Sequence, residues 1–465
     1  MAISDLNTAR QLKAEQERAR LARKTTQNQI SRDIETYGRI DLPLLFIFLV
    51  ILCFGLILLF SASLSSAYAD QGDPLYYVRR QLIFTGLGAV MIFILLRFPI
   101  RFFNRFFLTI IVYFACTLSL LAVIFAGVQG DYGAVRWLDI LGVQFQPSEM
   151  CKVGAIFCLA TYFPAVPALR NIPLFHHPDD EKKQLKSDAF LYITFPALAM
   201  GAWLILIFIQ PHLSGALIVG ALVLTLFLMA KIPARIWLRG LRQLIPLVLI
   251  GVLLIALIYP LLHQGESFMT FIGERFAHVF SRLNTFNNPD AASSDSIHQI
   301  QQARYALGSG GLTGKGLGMG RQKSGFLPMV YNDFILPSIG EELGYLGSLA
   351  VLILFVLFFL RGTRISMNAP SKYTAMLAFG STLLITLQAL LNIAVASEVI
   401  PTTGVSLPFF SYGGTAHVFM MLAVGFILSV SKTGQRADPE LLKIIRLENE
   451  YRKSYSRPRA QSNRG

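Results

Sequence analysis

"LPLLFIFLVILCFGLILLFSASL", Leu42 to Leu64, runs twenty-three residues without a charge. A bilayer's hydrocarbon core is about 30 Å thick and an α-helix rises about 1.5 Å per residue, so roughly 20 apolar residues cross it. A helix this long that is apolar on every face has no polar side to give to water. The stretch therefore reads as a membrane span, with Asp41 marking its start. Runs of similar character recur near 82–98, 106–126, 150–166, 189–209, 213–230, 243–262, 345–360, 372–395 and 412–431. The expected fold is an all-α integral membrane protein of about ten transmembrane helices.

Composition agrees, with 54% hydrophobic and 15% charged residues, far from the soluble average. Cys53, Cys116, Cys151 and Cys158 all lie in apolar runs without ligand spacing, so they predict neither a disulfide framework nor a zinc site. The seven histidines are scattered, with only His176 and His177 adjacent, and suggest no metal site either. The first 40 residues are rich in Arg, Lys, Gln and Glu and lack the apolar core of a cleavable signal peptide.

Lys and Arg concentrate in loops that stay in the cytoplasm. The segments 1–41, 97–105, 165–188, 231–242, 361–372 and 432–465 hold 31 of the 41. Every second connection is thereby expected inside, as are both termini. This divides the chain into a basic cytoplasmic tail (1–41), a polytopic domain (42–431) and a second basic cytoplasmic tail (432–465). The net charge of +14 then has a partner in anionic lipid headgroups, and binding to nucleic acid is not needed to explain it.

The same alternation puts 263–334 on the outer face, as one large loop between the seventh and eighth spans. Connectors this long are usually functional or disordered, and two amphipathic stretches within it, "ESFMTFIGERFAHVF" and "QIQQARYAL", favour structure. The second is expected to end at Gly308. Next comes "GSGGLTGKGLG", Gly308–Gly318. It is not a nucleotide P-loop: Ser309 stands where the first glycine belongs, and Gly316 replaces the hydroxyl residue after Lys315. Two readings remain open. One is a cradle of backbone amides for the pyrophosphate of a lipid-linked sugar, backed by Lys315, Arg321 and Lys323; the other is a set of tight turns between helices.

Ionisable side chains at membrane depth are costly and usually mark a site or a pathway. In "GAVRWLDILGVQFQPSEMCKVG" Arg136, Glu149 and Lys152 gather at the start of the fourth span. Glu149 and Lys152, three apart, share a helix face, as a structural ion pair or as a substrate site. Pro147 and Ser148 read as a helix start. Asp333, Glu341 and Glu342 in "YNDFILPSIGEELGYLG" lie where the outer loop re-enters the membrane. "TTGVSLPFFSYGGTAHVF", which holds Ser411, reads either as a cavity lining or as a helix cap rich in small residues, the cap being favoured.

Taken in order, "GAVRWL", "FQPSEMCK", "YALGSGGLTGKGLG", "NDFILPSIGEELGYLG" and "PTTGVSLPFFSYGG" resemble the SEDS family, the shape, elongation, division and sporulation proteins, over about 40–432. "GLGMGRQKSGFLP" is more similar to the division branch than to the elongation branch. The resemblance implies ten spans and a peptidoglycan glycosyltransferase that polymerises lipid II at the outer face by inverting hexosyl transfer. It also implies a class B penicillin-binding protein and other division proteins as partners, and no cofactor beyond an optional divalent cation, Mg or Mn. Substrate contacts are then expected from Arg136, Glu149, Lys152, Gln299, Gln302, Lys315, Arg321, Asp333, Glu342 and Ser411. A lipid II flippase or a non-enzymatic division scaffold are the rival functions, and a small-solute transporter is the generic reading of ten spans.

The resemblance also implies an essential Asp shortly after Asn-Pro in the outer loop. In "NNPDAASSDSIHQIQQ", ungapped placement on Pro289 and Gln299 puts Ala292 at that position, between Asp290 and Asp295. Asp295 is the favoured general base and Asp290 the alternative. His212, where the family usually has Asp, and Met329, where it usually has Glu, are further departures.

Overall fold

A computed structural model describes residues 39–129, 135–140, 142–210, 212–262, 294–323, 326–327 and 330–434, with Thr270 and Gly273. Residues 1–38 and 435–465 of the two tails, "ESFMTFIGERFAHVF" apart from Thr270 and Gly273, Asp290, Ala292 and Met329 lie outside the described residues.

Helices α1 (Leu42–Gln71), α2 (Tyr76–Arg97), α3 (Phe106–Ala126) and α4 (Pro147–Leu169) come first. A fifth apolar helical stretch, Glu181–Ile209, comprises α5 (Glu181–Ala189), a π-helical turn at Phe190–Thr194 and α6 (Phe195–Ile209). Then come α7 (Leu213–Met229), α8 (Ala234–Leu262), α9 (Ser294–Gly310), α10 (Ile335–Met367), α11 (Lys372–Ala396) and α12 (Thr415–Gly434). Nine described helices are long and apolar enough to span, and α7, at 17 residues, is the shorter tenth. The expected helical membrane fold is present. Several helices start earlier than hydropathy indicated, among them α2 at Tyr76, α5 at Glu181, α8 at Ala234 and α10 at Ile335. Arg79, Arg80, Glu341 and Glu342 depress the local hydropathy without breaking a helix whose polar groups have partners.

One element lies outside the helical expectation. Between α3 and α4 the chain forms a small antiparallel meander, β1 (Val128–Gln129), β2 (Val135–Ile140) and β3 (Val143–Phe145). Alternating Val, Trp, Ile and Phe with a turn at Gly142 suit a strand pair, but the length is too short to compete with the apolar runs around it. Arg136 is therefore on a strand and not on the entrance of α4.

The centre of the bundle is α4, α11 and α12, whose apolar windows are 72%, 61% and 72% buried, against 6% for α8 at the periphery. Small residues permit the close approaches, as is usual where lipid gives no hydrophobic drive between helices. A Cβ at Gly154 would press on Cys116 of α3, and one at Gly380 on Ile156 of α4.

At the basic end, Asp41 caps α1 by accepting from Leu44 N (2.9 Å) and takes both forks of Arg361 of α10 (2.9 and 2.7 Å), while its own N–H donates to Ser431 of α12 (3.1 Å). Asp41→Ala leaves the N–H contact but removes the cap and the bidentate pair. A loss of about 2 kcal/mol is expected, read as a lower thermal midpoint in detergent; an unchanged midpoint would show the three-helix tie to be inert.

Candidate functional site

The helix α10 is broken at Gly344, whose φ of 70° and ψ of −165° interrupt it one turn after the acidic pair Glu341–Glu342. A break at membrane depth leaves backbone groups that water cannot reach, so the surrounding protein must satisfy them. The glycine-rich loop does so. Lys315 N donates to Glu341 O (3.0 Å) and Gly316 N to Glu342 O (2.9 Å), while Tyr345 N and Leu346 N donate to Gly311 O (2.9 Å) and Leu312 O (3.1 Å). Close backbone pairing explains the composition: at Gly314, with φ of 78°, a Cβ would collide with the carbonyl of Glu342. Gly314→Ala is expected to cost about 1–3 kcal/mol from the backbone conformation alone, plus the collision. The measurement is the yield of monodisperse protein after extraction, and a normal yield contradicts this role of the loop.

The side chains complete the arrangement. Glu341, wholly buried, accepts from Lys315 Nζ (2.7 Å) and from the backbone N–H groups of Arg321 (2.9 Å) and Gln322 (3.0 Å). Lys315 also donates to Ser309 Oγ (2.8 Å). Glu342, 1% exposed, accepts from Lys323 Nζ (2.5 Å) and Ser61 Oγ of α1 (2.6 Å), and Lys323 in turn donates to Ser61 Oγ (2.9 Å). This corrects the cradle reading. The amides of Lys315, Gly316, Arg321 and Gln322 already serve the chain's own carbonyls and carboxylates, so in this conformation the loop acts as a clasp on α10. Its anions are internal. Lys315 and Arg321 remain at its exposed rim, where a phosphate could meet their side chains.

A second polar cluster crosses the middle of the bundle. Lys152 Nζ on α4 is 2.6 Å from Glu149 Oε1 and 3.0 Å from Gln388 Oε1 on α11. Gln388 Nε2 continues to Ser406 O (3.3 Å). One turn on, Asn392 Nδ2 donates to Asp333 O (2.9 Å) and Val405 O (2.7 Å). Ser411 Oγ donates to Asn332 O (2.6 Å) and accepts from Leu407 N (2.9 Å). The segments 331–334 and 402–414 are thus held to one another and to α11 by buried side chains. Glu149 Oε2 is buried and has no hydrogen-bond partner among the described residues, a costly arrangement unless a further donor reaches it.

The structure therefore brings Glu149 and Lys152 together, and Asp333 and Ser411 through their shared neighbours. Glu342, Lys315 and Arg321 form the other group, across the clasp. Arg136 stands apart on β2, half-buried. Gln299 and Gln302 lie on α9, where Gln302 Nε2 is 3.4 Å from His298 Nε2. Asp295 is in the first turn of that helix, and Asp290 lies outside the described residues. Helix α9 packs on α10 and is tied to the turn after α11 by the forked pair of Arg304 and Glu398. Among the described residues no three His, Cys, Asp or Glu side chains are grouped so that they could hold a metal ion together.

Several working residues were not singled out from sequence. Gln388 and Asn392, at i and i+4 in an apolar helix, carried a readable signal. Gln81 did too: it reaches Ser411 O (3.3 Å) and His417 Nδ1 (2.8 Å), while Thr85 Oγ1 lies 3.0 Å from His417 Nε2. Ser61 is one of several serines in α1 and carried none. His212, buried, sits 3.0 Å from Ser148 Oγ and so links the starts of α4 and α7.

A family model described as Cell cycle protein, covering FtsW, RodA and SpoVE, matches residues 42–436. The chain belongs to the FtsW/RodA/SpoVE family. Among its relatives is the "Probable peptidoglycan glycosyltransferase FtsW" of Geobacter metallireducens, 31% identical over 402 residues that cover 86% of this chain and 96% of the relative. The "Stage V sporulation protein E" of Bacillus subtilis is 31% identical over 397 residues, 84% of this chain and 97% of that protein. In fold the chain is similar to a chain of a peptidoglycan synthase complex (TM-score 0.57, 24% identity, 86% and 99% coverage). It is likewise similar to the rod shape determining protein RodA of Thermus thermophilus (TM-score 0.55, 23% identity, 86% and 99% coverage). This FtsW/RodA/SpoVE chain is a multi-pass membrane protein over nearly all of the matched span.

Proposed function

We propose that this FtsW/RodA/SpoVE protein is a peptidoglycan glycosyltransferase that polymerises lipid II at the outer face of the cytoplasmic membrane during cell division. The observation that carries the reading is the full-length likeness to relatives named probable peptidoglycan glycosyltransferase. The buried polar clusters support it, since a bundle that only spanned the membrane would not need Glu149, Lys152 and Gln388 at its centre.

In the proposed reaction the 4-hydroxyl of the incoming lipid II sugar attacks the anomeric carbon of the growing glycan. The C–O bond to the lipid pyrophosphate breaks with inversion, and the pyrophosphate leaves with the bonding pair. A carboxylate takes the hydroxyl proton, the role assigned to Asp295 with Asp290 as alternative. Cations stabilise the negative charge on the leaving group; Lys152, Arg136, Lys315 and Arg321 are the candidates. Gln299, Gln302, Asp333, Glu342 and Ser411 would orient sugar or loop. A divalent cation would supply the same charge stabilisation.

A flippase reading needs no base, and Ala292 at the expected catalytic position favours it to that extent. The chemistry separates the two, because only a polymerase converts lipid II into glycan and undecaprenyl pyrophosphate. The partner proposed is a class B penicillin-binding protein, whose single transmembrane helix would pack on an exposed span face. Copurification from membranes under gentle detergent is expected to recover such a synthase, and failure to recover one counts against the partnership. The proposed topology has both termini in the cytoplasm, so a cysteine at position 300 is expected to react with a membrane-impermeant thiol reagent from outside; labelling only from inside reverses the topology.

A further inference from the structure

At the opposite, basic end of the bundle a cavity of about 640 Å³ opens between the end of α7, the end of α10 and the start of α11. Its walls have two characters. Met229, Met376 and Phe379 make an apolar side, while Lys231 and Lys372 stand with Ser371, the cap of α11. Among the described residues no acidic one lines it. Lys372 feels the charge of Lys231, and the N-terminal end of the α11 dipole adds positive potential, although Ser371 Oγ already caps the Thr374 N–H. Two cations beside a helix N-terminus, with no carboxylate between them, make a place where an anion lowers the energy.

The backbone supports this placement. Lys372 Nζ donates to Ala230 O (2.6 Å) and so satisfies the end of α7. Lys231, the next residue, adopts a left-handed conformation with φ of 53°. That position after a helix normally favours glycine or asparagine, so a lysine there accepts backbone strain while carrying a charge to the cavity's rim. Thr363 Oγ1, in the cavity's lining residue Thr363, is buried without a hydrogen-bond partner among the described residues.

We infer that this cavity is a binding site for one anionic phospholipid of the adjoining leaflet, its phosphate held by Lys231 and Lys372 and an acyl chain lying along Met376 and Phe379. A soluble anion would use the cations but gain nothing from the apolar side, whereas a lipid matches both. The site lies apart from the clasp and the Glu149–Lys152 cluster, so it stands whatever reaction the other end performs.

The test uses the full-length protein purified in detergent, equilibrated with equal amounts of dioleoyl-phosphatidylglycerol and dioleoyl-phosphatidylcholine and read by native mass spectrometry. Lys231→Gly removes the charge and relieves the backbone, so its thermal midpoint is expected to stay level or rise. The wild type is expected to retain phosphatidylglycerol over phosphatidylcholine, Lys231→Gly to lose about fivefold of that preference, and Lys231→Arg to keep it. Equal retention of the two lipids, or an unchanged preference in Lys231→Gly, overturns the proposal. Displacement of phosphatidylglycerol by excess inorganic phosphate overturns it too, since the ligand would then be a soluble anion.

Discussion

Asp295→Asn is expected to abolish glycan polymerisation while the protein inserts and accumulates normally. The amide keeps the shape of the side chain and loses its proton acceptor, and removal of a general base typically lowers the rate by about 10²–10⁴. The residue lies in the first turn of α9, a helix packed on α10 and tied by Arg304 to Glu398, so the proposed base belongs to a supported element. Asp290→Asn is expected to be mild in the same assay of labelled lipid II. The reverse ranking moves the role to Asp290, and normal turnover by both variants removes this segment from the chemistry.

Lys152→Met carries the second large effect, and it acts on folding as well as on turnover. Lys152 and Glu149 side chains are 2% and 7% exposed, and Glu149 already has one oxygen without a partner among the described residues. Removing the lysine strands a buried carboxylate, at a cost of about 3–5 kcal/mol, so abundance in membranes is expected to fall. Combining it with Glu149→Gln removes the charge and is expected to restore abundance. Polymerisation is expected to stay lost in the double variant, because the cation proposed to meet the pyrophosphate is still absent. Recovery of activity together with abundance assigns the pair a structural role only.

The fold was legible because lipid imposes a simple rule. A span must be long, apolar and helical, and Leu42–Leu64 met that rule without reference to any other residue. The β1–β3 meander escaped it, since a few strand-forming residues outside the membrane leave no comparable signature. Glu149 and Lys152 were readable as a pair from their spacing and their depth. Their third partner, Gln388, required knowing that α4 lies beside α11. The glycine-rich loop shows the limit most clearly. Its glycines fit a phosphate cradle or a tight turn equally well, and only the break at Gly344, which packs on the loop, shows that the loop's backbone clasps the carbonyls of Glu341 and Glu342. Ser61 is the same lesson on a smaller scale: a serine in an apolar helix is ordinary until Lys323 and Glu342 are seen beside it.

Conversion of lipid II into glycan separates a polymerase from a transporter. Purified protein, alone and with a copurified class B penicillin-binding protein, is incubated with fluorescent lipid II, and the products are resolved on a gel after addition of a transpeptidase inhibitor. A ladder of glycan strands is expected with wild type, stronger with the partner present, and none with Asp295→Asn. Lipid II that stays monomeric under every condition, while the same preparation moves it across proteoliposome membranes, would contradict the account and leave the protein a transporter.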